Sequence, residues 1–195
     1  MPDWSRRRAL RTVAAAGSLA LAGCSGEASH STDPPPDRGE PVSDYQVRFV
    51  RETDGDRLFE TDDGSGDVPH EMEYLTGEDE RDDLAFRSTT AATELRSFVD
   101  ATDFEAESVF LLQRSIGECY QANLLTVYRE SDGVDAGFCQ ELRPADVDCS
   151  AEAEDTVGVA IRLPFTGDGF NSVGSGWSGD CDGRPIAAGE GAGDR

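Results

Sequence analysis

The sequence predicts a mainly β domain, a small β-sandwich or an open barrel, with one short helix near residues 90–100. Three observations favour this class. Short apolar or alternating segments follow one another closely in the second half of the chain, and polar, glycine-containing turns separate them. One segment alone carries apolar residues at clear helical spacing. Closely spaced strands with a single helix are typical of sandwiches and barrels.

The predicted strands before the helix are short. Residues 45–50 alternate apolar and polar side chains, which indicates a half-buried strand. The acidic, glycine-rich residues 53–67 predict turns around a short strand at 57–60, and residues 84–88 form a second weak strand.

The helix is predicted at residues 90–100, where apolar side chains recur at three- and four-residue spacing and form one stripe. Three hydroxyl residues at 88–90 are candidate caps for its first turn. The apolar stripe consists of Ala92, Leu95, Phe98 and Val99.

The strands after the helix are longer. A continuous apolar run at 108–113 predicts a central strand buried on both faces. Residues 119–129 and 134–140 predict a hairpin, and 156–163 is the last clear strand. The remaining residues, 165–195, are glycine-rich and are predicted to be irregular, with a short strand at 170–173.

The first 24 residues have the composition of an export signal. An arginine-rich head precedes an apolar run at 12–21, and small residues then lead to Cys24. The apolar run is too short for a stable transmembrane helix. Arg6 and Arg7 follow Ser5, and this arrangement resembles a twin-arginine export signal with a lipobox.

That resemblance implies that Cys24 carries a lipid and becomes the first residue of the mature chain. It places the protein at the extracellular face of the cell membrane, with the membrane as its partner through that lipid. The expected organisation is a signal peptide at 1–23, a lipidated cysteine and flexible tether at 24–43, a single β-rich domain at 44–185 and a disordered tail at 186–195.

The net charge of the chain indicates the environment in which the protein works rather than a particular ligand. The chain has 40 acidic residues and 17 basic ones, every one of which is arginine, and its net charge is −23. This balance argues against nucleic acid as a partner, because phosphate binding needs a basic face. The acids are spread along the chain, which favours adaptation to molar salt, where carboxylates repel one another weakly. The pattern resembles proteins of haloarchaea.

Four cysteines besides Cys24 predict two disulfides, because they are even in number and belong to an exported chain. Three pairings are possible. We favour Cys139–Cys149, which closes a short loop, and with it Cys119–Cys181. A structural zinc site usually contains a close cysteine pair, which these spacings lack, so no metal is expected.

Motifs that suggest chemistry are weak. Residues 174–179 match G-x-G-x-x-G but no helix pattern follows, so we interpret them as a glycine-rich loop around Trp177 rather than a dinucleotide site. His70, with Asp67 and Glu71 nearby, lies in an acidic segment predicted to be a surface loop, and no catalytic residue or cofactor is expected.

A calcium loop is a further alternative. Asp63, Ser65 and Asp67 have the early spacing of an EF-hand loop, but Tyr74 occupies the position of its bidentate glutamate.

One stretch carries a further family resemblance. Residues 104–163 contain an apolar strand, Cys119-Tyr120, a hairpin, a second cysteine and a last strand before Pro164. This layout resembles the PrcB-type β domain, and the resemblance implies a fold only. We expect a non-enzymatic, lipid-anchored surface module that either binds an unidentified surface protein or small ligand or contributes to the cell envelope. A surface hydrolase using His70 or a carboxylate pair, and a calcium-stabilised adhesion-like domain, are the alternatives.

Overall fold

Two four-stranded sheets stack face to face in this chain. The computed structural model describes residues 39–61, 70–167, 169–170 and 172–181. The mainly β class with one longer helix is confirmed. The strands are β1 (Glu40–Pro41), β2 (Gln46–Glu52), β3 (Phe59–Glu60), β4 (His70–Leu75), β5 (Ala85–Phe86), β6 (Ser108–Gly117), β7 (Tyr120–Arg129), β8 (Gly133–Leu142), β9 (Glu154–Leu163) and β10 (Ser172–Ser178), and the helices are α1 (Glu78–Asp82) and α2 (Thr90–Asp100).

The strands divide between two main sheets and one small ladder. Sheet A has the order β1-β7-β8-β10, and sheet B has the order β2-β9-β6-β4. Strands β3 and β5 pair with each other. Strand β10 runs parallel to β8, and the other described strand pairs are antiparallel.

The first core lies between the sheets. Alternating residues of β6 and β9 face sheet A, as Phe110 and Ile161 do, and they meet Leu124 and Phe138 of β7 and β8. All four side chains are almost completely buried. Because side chains alternate between the two faces of a strand, the intervening residues of β6 and β9 need a second apolar layer on the opposite face.

Helix α2 supplies that second layer on the outer face of sheet B. Its residues Ala92, Leu95 and Val99 are fully buried against the sheet, together with Leu58 and Phe59. The prediction that 108–113 is buried on both faces is therefore confirmed.

A glycine in β9 allows the close approach of these outer elements. A Cβ atom at Gly158 would lie 2.3 Å from Leu58 Cδ1 and 3.1 Å from Leu95 Cδ2. Since these distances are shorter than van der Waals contact, a larger residue would push the outer layer away from the sheet.

Side chains provide hydrogen-bond partners for backbone groups at both ends of α2. The N-cap is Thr89, whose Oγ1 accepts a hydrogen bond from the Ala92 backbone N–H at 3.2 Å. At the other end, Arg162 donates to the Phe98 carbonyl at 2.7 Å and lies over the Phe98 ring. The predicted bounds of 90–100 are those observed.

Three expectations about element positions need correction. Residues 40–41, assigned to the tether, form β1 and pair with β7. His70, expected in a loop, begins β4, where Met72 and Tyr74 alternate with two glutamates. Residues 172–178 form β10, so most of the segment interpreted as a glycine-rich loop is strand. Parallel pairing with the distant β8, which local sequence does not encode, produces this last difference.

Candidate functional site

The residues that carry the export and calcium predictions lie outside the described part of the chain. They are Arg6, Arg7, Cys24, Asp63, Ser65 and Asp67. The tail at 186–195 lies outside it too. For His70 the structure gives the backbone position alone, in register with Arg114 of β6. Tyr74, at the position of the expected EF-hand glutamate, is part of β4.

The two predicted disulfides exist, but the favoured pairing was wrong. The bridges are Cys119–Cys149 and Cys139–Cys181. Strand register explains the Cys139–Cys181 bridge. Ser178 of β10 is the partner of Cys139, so the chain that leaves β10 passes beside β8 three residues later. A closed short loop at 139–149 was the wrong expectation because β8 continues to Leu142 and carries the chain away from Cys139.

The loop after β8 returns to the start of β7. The Glu118 backbone N–H donates to the Ala153 carbonyl at 2.9 Å, and the Ser150 N–H donates to the Glu118 carboxylate at 2.7 Å. These contacts bring Cys149 to Cys119.

Most arginines of the described residues are neutralised by carboxylates. Seven of them lie in salt bridges: Arg48, Arg51, Arg57, Arg81, Arg87, Arg96 and Arg162. Arg114 and Arg129 behave differently, because aromatic rings rather than carboxylates contact their guanidinium groups within the described ranges. Arg143, the remaining described arginine, donates to the Glu118 carbonyl rather than to a carboxylate. In so acidic a chain, two cations that aromatic rings contact and no described carboxylate pairs with mark a candidate binding region.

Arg129 belongs to a group that we call the tyrosine cluster, formed by Tyr74, Ser108, Arg129, Phe165 and Phe170. The Arg129 guanidinium lies 4.6 Å from the ring centre of Phe165 and 5.5 Å from that of Phe170. Tyr74 stacks on Phe170 with ring centres 5.9 Å apart. The cluster therefore holds one positive charge among three rings at the end of the sandwich where β7 finishes.

Hydrogen bonds fix the phenol of this cluster. Tyr74 Oη and Ser108 Oγ are 2.8 Å apart, and Ser108 Oγ donates to the Phe165 carbonyl at 2.7 Å. Burial raises the pKa of the Tyr74 phenol, while the Ser108 hydrogen bond and the charge of Arg129 lower it in part. Burial also raises the pKa of Tyr45.

Arg114 belongs to a second group, the tryptophan stack, formed by Arg114, Phe138 and Trp177. The Arg114 guanidinium lies 4.4 Å from the centre of the Trp177 ring. Trp177 also stacks on Phe138, with ring centres 4.8 Å apart and planes inclined by 17°. The stack joins β6, one of the two inner strands of sheet B, to β10 at the edge of sheet A.

The two groups lie along the same side of the sandwich. Strands β4 and β10 are edge strands of their sheets and approach each other there. Met72 and Val173, both half-buried, pack against the inter-sheet core from these strands. We refer to this region, from the tyrosine cluster to the tryptophan stack, as the arginine–aromatic side.

A third polar feature is structural. Gln113 is fully buried and uses its whole amide: Oε1 accepts from the Leu58 and Phe59 N–H groups, and Nε2 donates to the Phe59 carbonyl and to Glu71. Glu71 in turn accepts from Thr61. Because each of these groups already has a partner, the network holds β3 onto sheet B.

A shallow hollow of about 360 Å³ lies at the start of α2, lined by Ser88, Thr89, Thr90, Thr93 and Glu94. Its polar groups serve the helix, since Thr89 caps it and Thr93 Oγ1 donates to the Thr89 carbonyl. Glu94 pairs with Arg48.

No protein-family model, curated protein or solved structure matches this chain. Within the described ranges, no helix is long and apolar enough to cross a membrane. The same ranges do not gather three or more His, Cys, Asp or Glu side chains in a way that could hold a metal ion.

Sequence reasoning singled out Trp177 but missed both arginines of the arginine–aromatic side. Alternation along β6 places Arg114 on the same face as Leu112 and Ile116, and this was the available signal. Its ring partner comes from a distant strand, so the sequence alone could not identify it.

The chemistry available at this side is anion recognition. A guanidinium that rests on a ring face keeps its charge, and the N–H donors at its edge remain able to bind a carboxylate, sulfonate or phosphate. The rings beside it offer apolar contact to the rest of such a molecule.

Proposed function

We propose that this chain is an exported, lipid-anchored surface protein whose β domain is a binding module for ligands that combine an anionic group with an apolar part. The export signal and Cys24 support the location. The observation that carries the binding role is Arg129, an exposed cation held on aromatic rings without a carboxylate partner among the described residues.

Placement distinguishes Arg129 from an ordinary surface arginine. The other exposed arginines that the structure describes have carboxylate partners: Arg87 pairs with Glu60, and Arg96 pairs with Asp100 at 3.3 Å on the same helix. Arg129 instead contacts Phe165 and Phe170, so its charge remains available to a ligand. At high salt, long-range attraction is screened, but hydrogen bonds at contact distance persist.

The two phenylalanine rings beside Arg129 indicate the apolar part of the ligand. Phe165 and Phe170 are both half-buried, so each residue keeps some accessible surface, and both rings lie within 6 Å of the Arg129 guanidinium. A small molecule or a protein segment with an aromatic or aliphatic group next to its anion matches this pair of features.

A fluorescent probe with the same two features tests the binding role. Anilinonaphthalene sulfonate carries a sulfonate beside aromatic rings, and its affinity for the full chain is measured at high potassium chloride concentration. Arg129→Gln is expected to weaken binding by about tenfold, because it removes a charge-assisted hydrogen bond.

Arg96→Gln is the matched control, since it makes the same substitution at an exposed arginine outside the tyrosine cluster. Its affinity should equal that of the unmodified chain. Equal affinities for Arg129→Gln and Arg96→Gln would overturn the proposed binding role.

The anchoring role is tested separately by Cys24→Ser in salt-adapted cells. This variant should appear in the medium, because the side chain proposed to carry the lipid is gone. Ser25→Ala, a neighbouring control, should remain with the membranes. A Cys24→Ser variant that stays in the membrane fraction would contradict the anchor and leave the binding role unaffected.

A further inference from the structure

Strand β10 forms an edge of sheet A. It pairs with β8 on one side, and no described strand pairs with its other side. The Ser172 N–H donates to the Asp132 carbonyl at 3.1 Å, so the backbone groups of Ser172 point toward β8. Because this direction alternates along a strand, the N–H and C=O groups of Val173, Ser175 and Trp177 point outward. These outward groups have no hydrogen-bond partner among the described residues.

The absence of charge distinguishes β10 from the other edge strands. Sheet edges normally carry charged side chains, which hinder pairing with another chain. In the two main sheets, β1 and β4 contain glutamate, and β2 contains arginine and glutamate. Strand β10 contains no charged residue, and the uncharged run covers residues 169–179 of a chain whose net charge is −23. The edge of β10 therefore lacks the usual protection against strand pairing.

We propose that β10 pairs with β10 of a second copy of this chain, antiparallel across a two-fold axis. A two-fold contact places a surface against the same surface of the copy, so an acidic patch would face an equal acidic patch. An uncharged strand avoids this repulsion. A basic partner would bind the acidic surface that so many carboxylates create, whereas a second copy is repelled by that surface. The charge pattern therefore favours a second copy at β10.

The register of the pairing follows from the direction of the backbone groups. With Ser175 on the axis, Ser175 exchanges hydrogen bonds with Ser175 of the second copy, and Val173 exchanges them with Trp177 of that copy. The side chains of Val173 and Trp177 pack against the inter-sheet core and are half-buried. Pairing places each of them beside the other across the axis and covers apolar surface that is accessible in one chain alone. The four-stranded sheet A of one copy then continues into that of the other.

Sedimentation equilibrium of the full chain at high potassium chloride concentration tests this pairing. The average mass should rise from that of one chain toward that of two as the protein concentration increases. Ser175→Pro removes the N–H on the axis but no hydrogen bond to β8, since proline is tolerated where an edge N–H faces solvent. This variant should remain a monomer over the same concentrations.

Ser175→Ala is the matched control, because it changes the same side chain and keeps the N–H. It should form dimers as the unmodified chain does. A monomeric unmodified chain at every concentration would overturn the proposal and leave the edge of β10 to a different partner. Dimers of Ser175→Pro as stable as those of Ser175→Ala would overturn it as well. Arg129 lies in β7, two strands from this edge, so the dye-binding test of the proposed function is separate.

Amide hydrogen exchange of the unmodified chain covers the case in which Ser175→Pro fails to fold. The N–H groups of Val173, Ser175 and Trp177 should exchange about tenfold more slowly in the dimer, because pairing supplies their acceptors. Those of Gly174 and Gly176 should change less, since β8 supplies their acceptors in the monomer. A dimer in which the three outward groups exchange at the monomer rate would pair through another surface and refute the role of β10.

Discussion

At the residue scale, one buried amide holds the short strand β3 against sheet B. Gln113→Leu would leave the Leu58 and Phe59 N–H groups and the Phe59 carbonyl without partners inside the second core. We expect a loss of about 3 kcal/mol or more in the free energy of unfolding, since each buried unpaired group costs about 1–3 kcal/mol. Denaturant titration measures it.

Gln140→Leu is the matched control, because Gln140 is half-buried and makes no side-chain hydrogen bond to a described residue. Its stability should change by less than about 1 kcal/mol. Similar losses for both variants would show that the amide network contributes little.

Tyr74 should make the free energy of unfolding depend on pH in the alkaline range. Its pKa is raised in the folded state, so the folded protein keeps this proton while the unfolded chain loses it above about pH 10. The stabilisation that the Tyr74 phenol contributes to the fold is therefore complete below about pH 10. It decreases as the pH rises from there through the pKa of the folded state.

Ultraviolet absorption of phenolate during alkaline titration measures this difference. Tyr74→Phe should remove a late-titrating phenol, and Tyr45→Phe should remove another because burial raises that pKa as well. A Tyr74→Phe titration curve that keeps every late component would contradict the assignment.

At the scale of elements, the Cys139–Cys181 bridge fixes β10 beside β8. Replacing both cysteines with alanine should lower stability by about 4 kcal/mol, as should the Cys119/Cys149 double replacement, since the two bridges span 42 and 30 residues. The two variants should differ in structure. Only loss of Cys139–Cys181 frees the strand that carries Trp177.

Fluorescence in a Trp4→Phe background, where Trp177 is the single tryptophan, separates the two bridges. The emission should shift to longer wavelength when Cys139 and Cys181 are replaced and should be unchanged when Cys119 and Cys149 are replaced. Equal spectra would mean that strand pairing alone holds β10.

These elements also show how far sequence reasoning extends. Helix α2 could be predicted to the residue, because its apolar stripe and hydroxyl cap are local signals. The number of disulfides followed from composition. Their pairing could not, because it depends on β10 lying parallel to β8, and a run of small residues gives no strand signal of its own. The contacts of aromatic rings with Arg114 and Arg129 could not be predicted either, because they depend on the same long-range packing.

At the scale of the whole molecule, the surplus of 23 negative charges should make stability depend on salt. The Debye length is about 10 Å at 0.1 M salt and about 3 Å at 1 M, so exposed carboxylates repel one another across the surface only in dilute salt. We expect the unfolding temperature to rise between these concentrations in potassium chloride and in potassium gluconate alike, because screening does not depend on the anion.

The loop after β8 offers a variant that separates screening from other effects of salt. Asp146, Asp148 and Glu152 are exposed and form no salt bridge with a described residue. Replacing them with Asn, Asn and Gln removes three neighbouring charges. If repulsion limits stability, this variant should unfold at a higher temperature than the unmodified chain in dilute salt and at the same temperature in concentrated salt. Equal unfolding temperatures in dilute salt would instead mean that the acidic surface does not destabilise the fold.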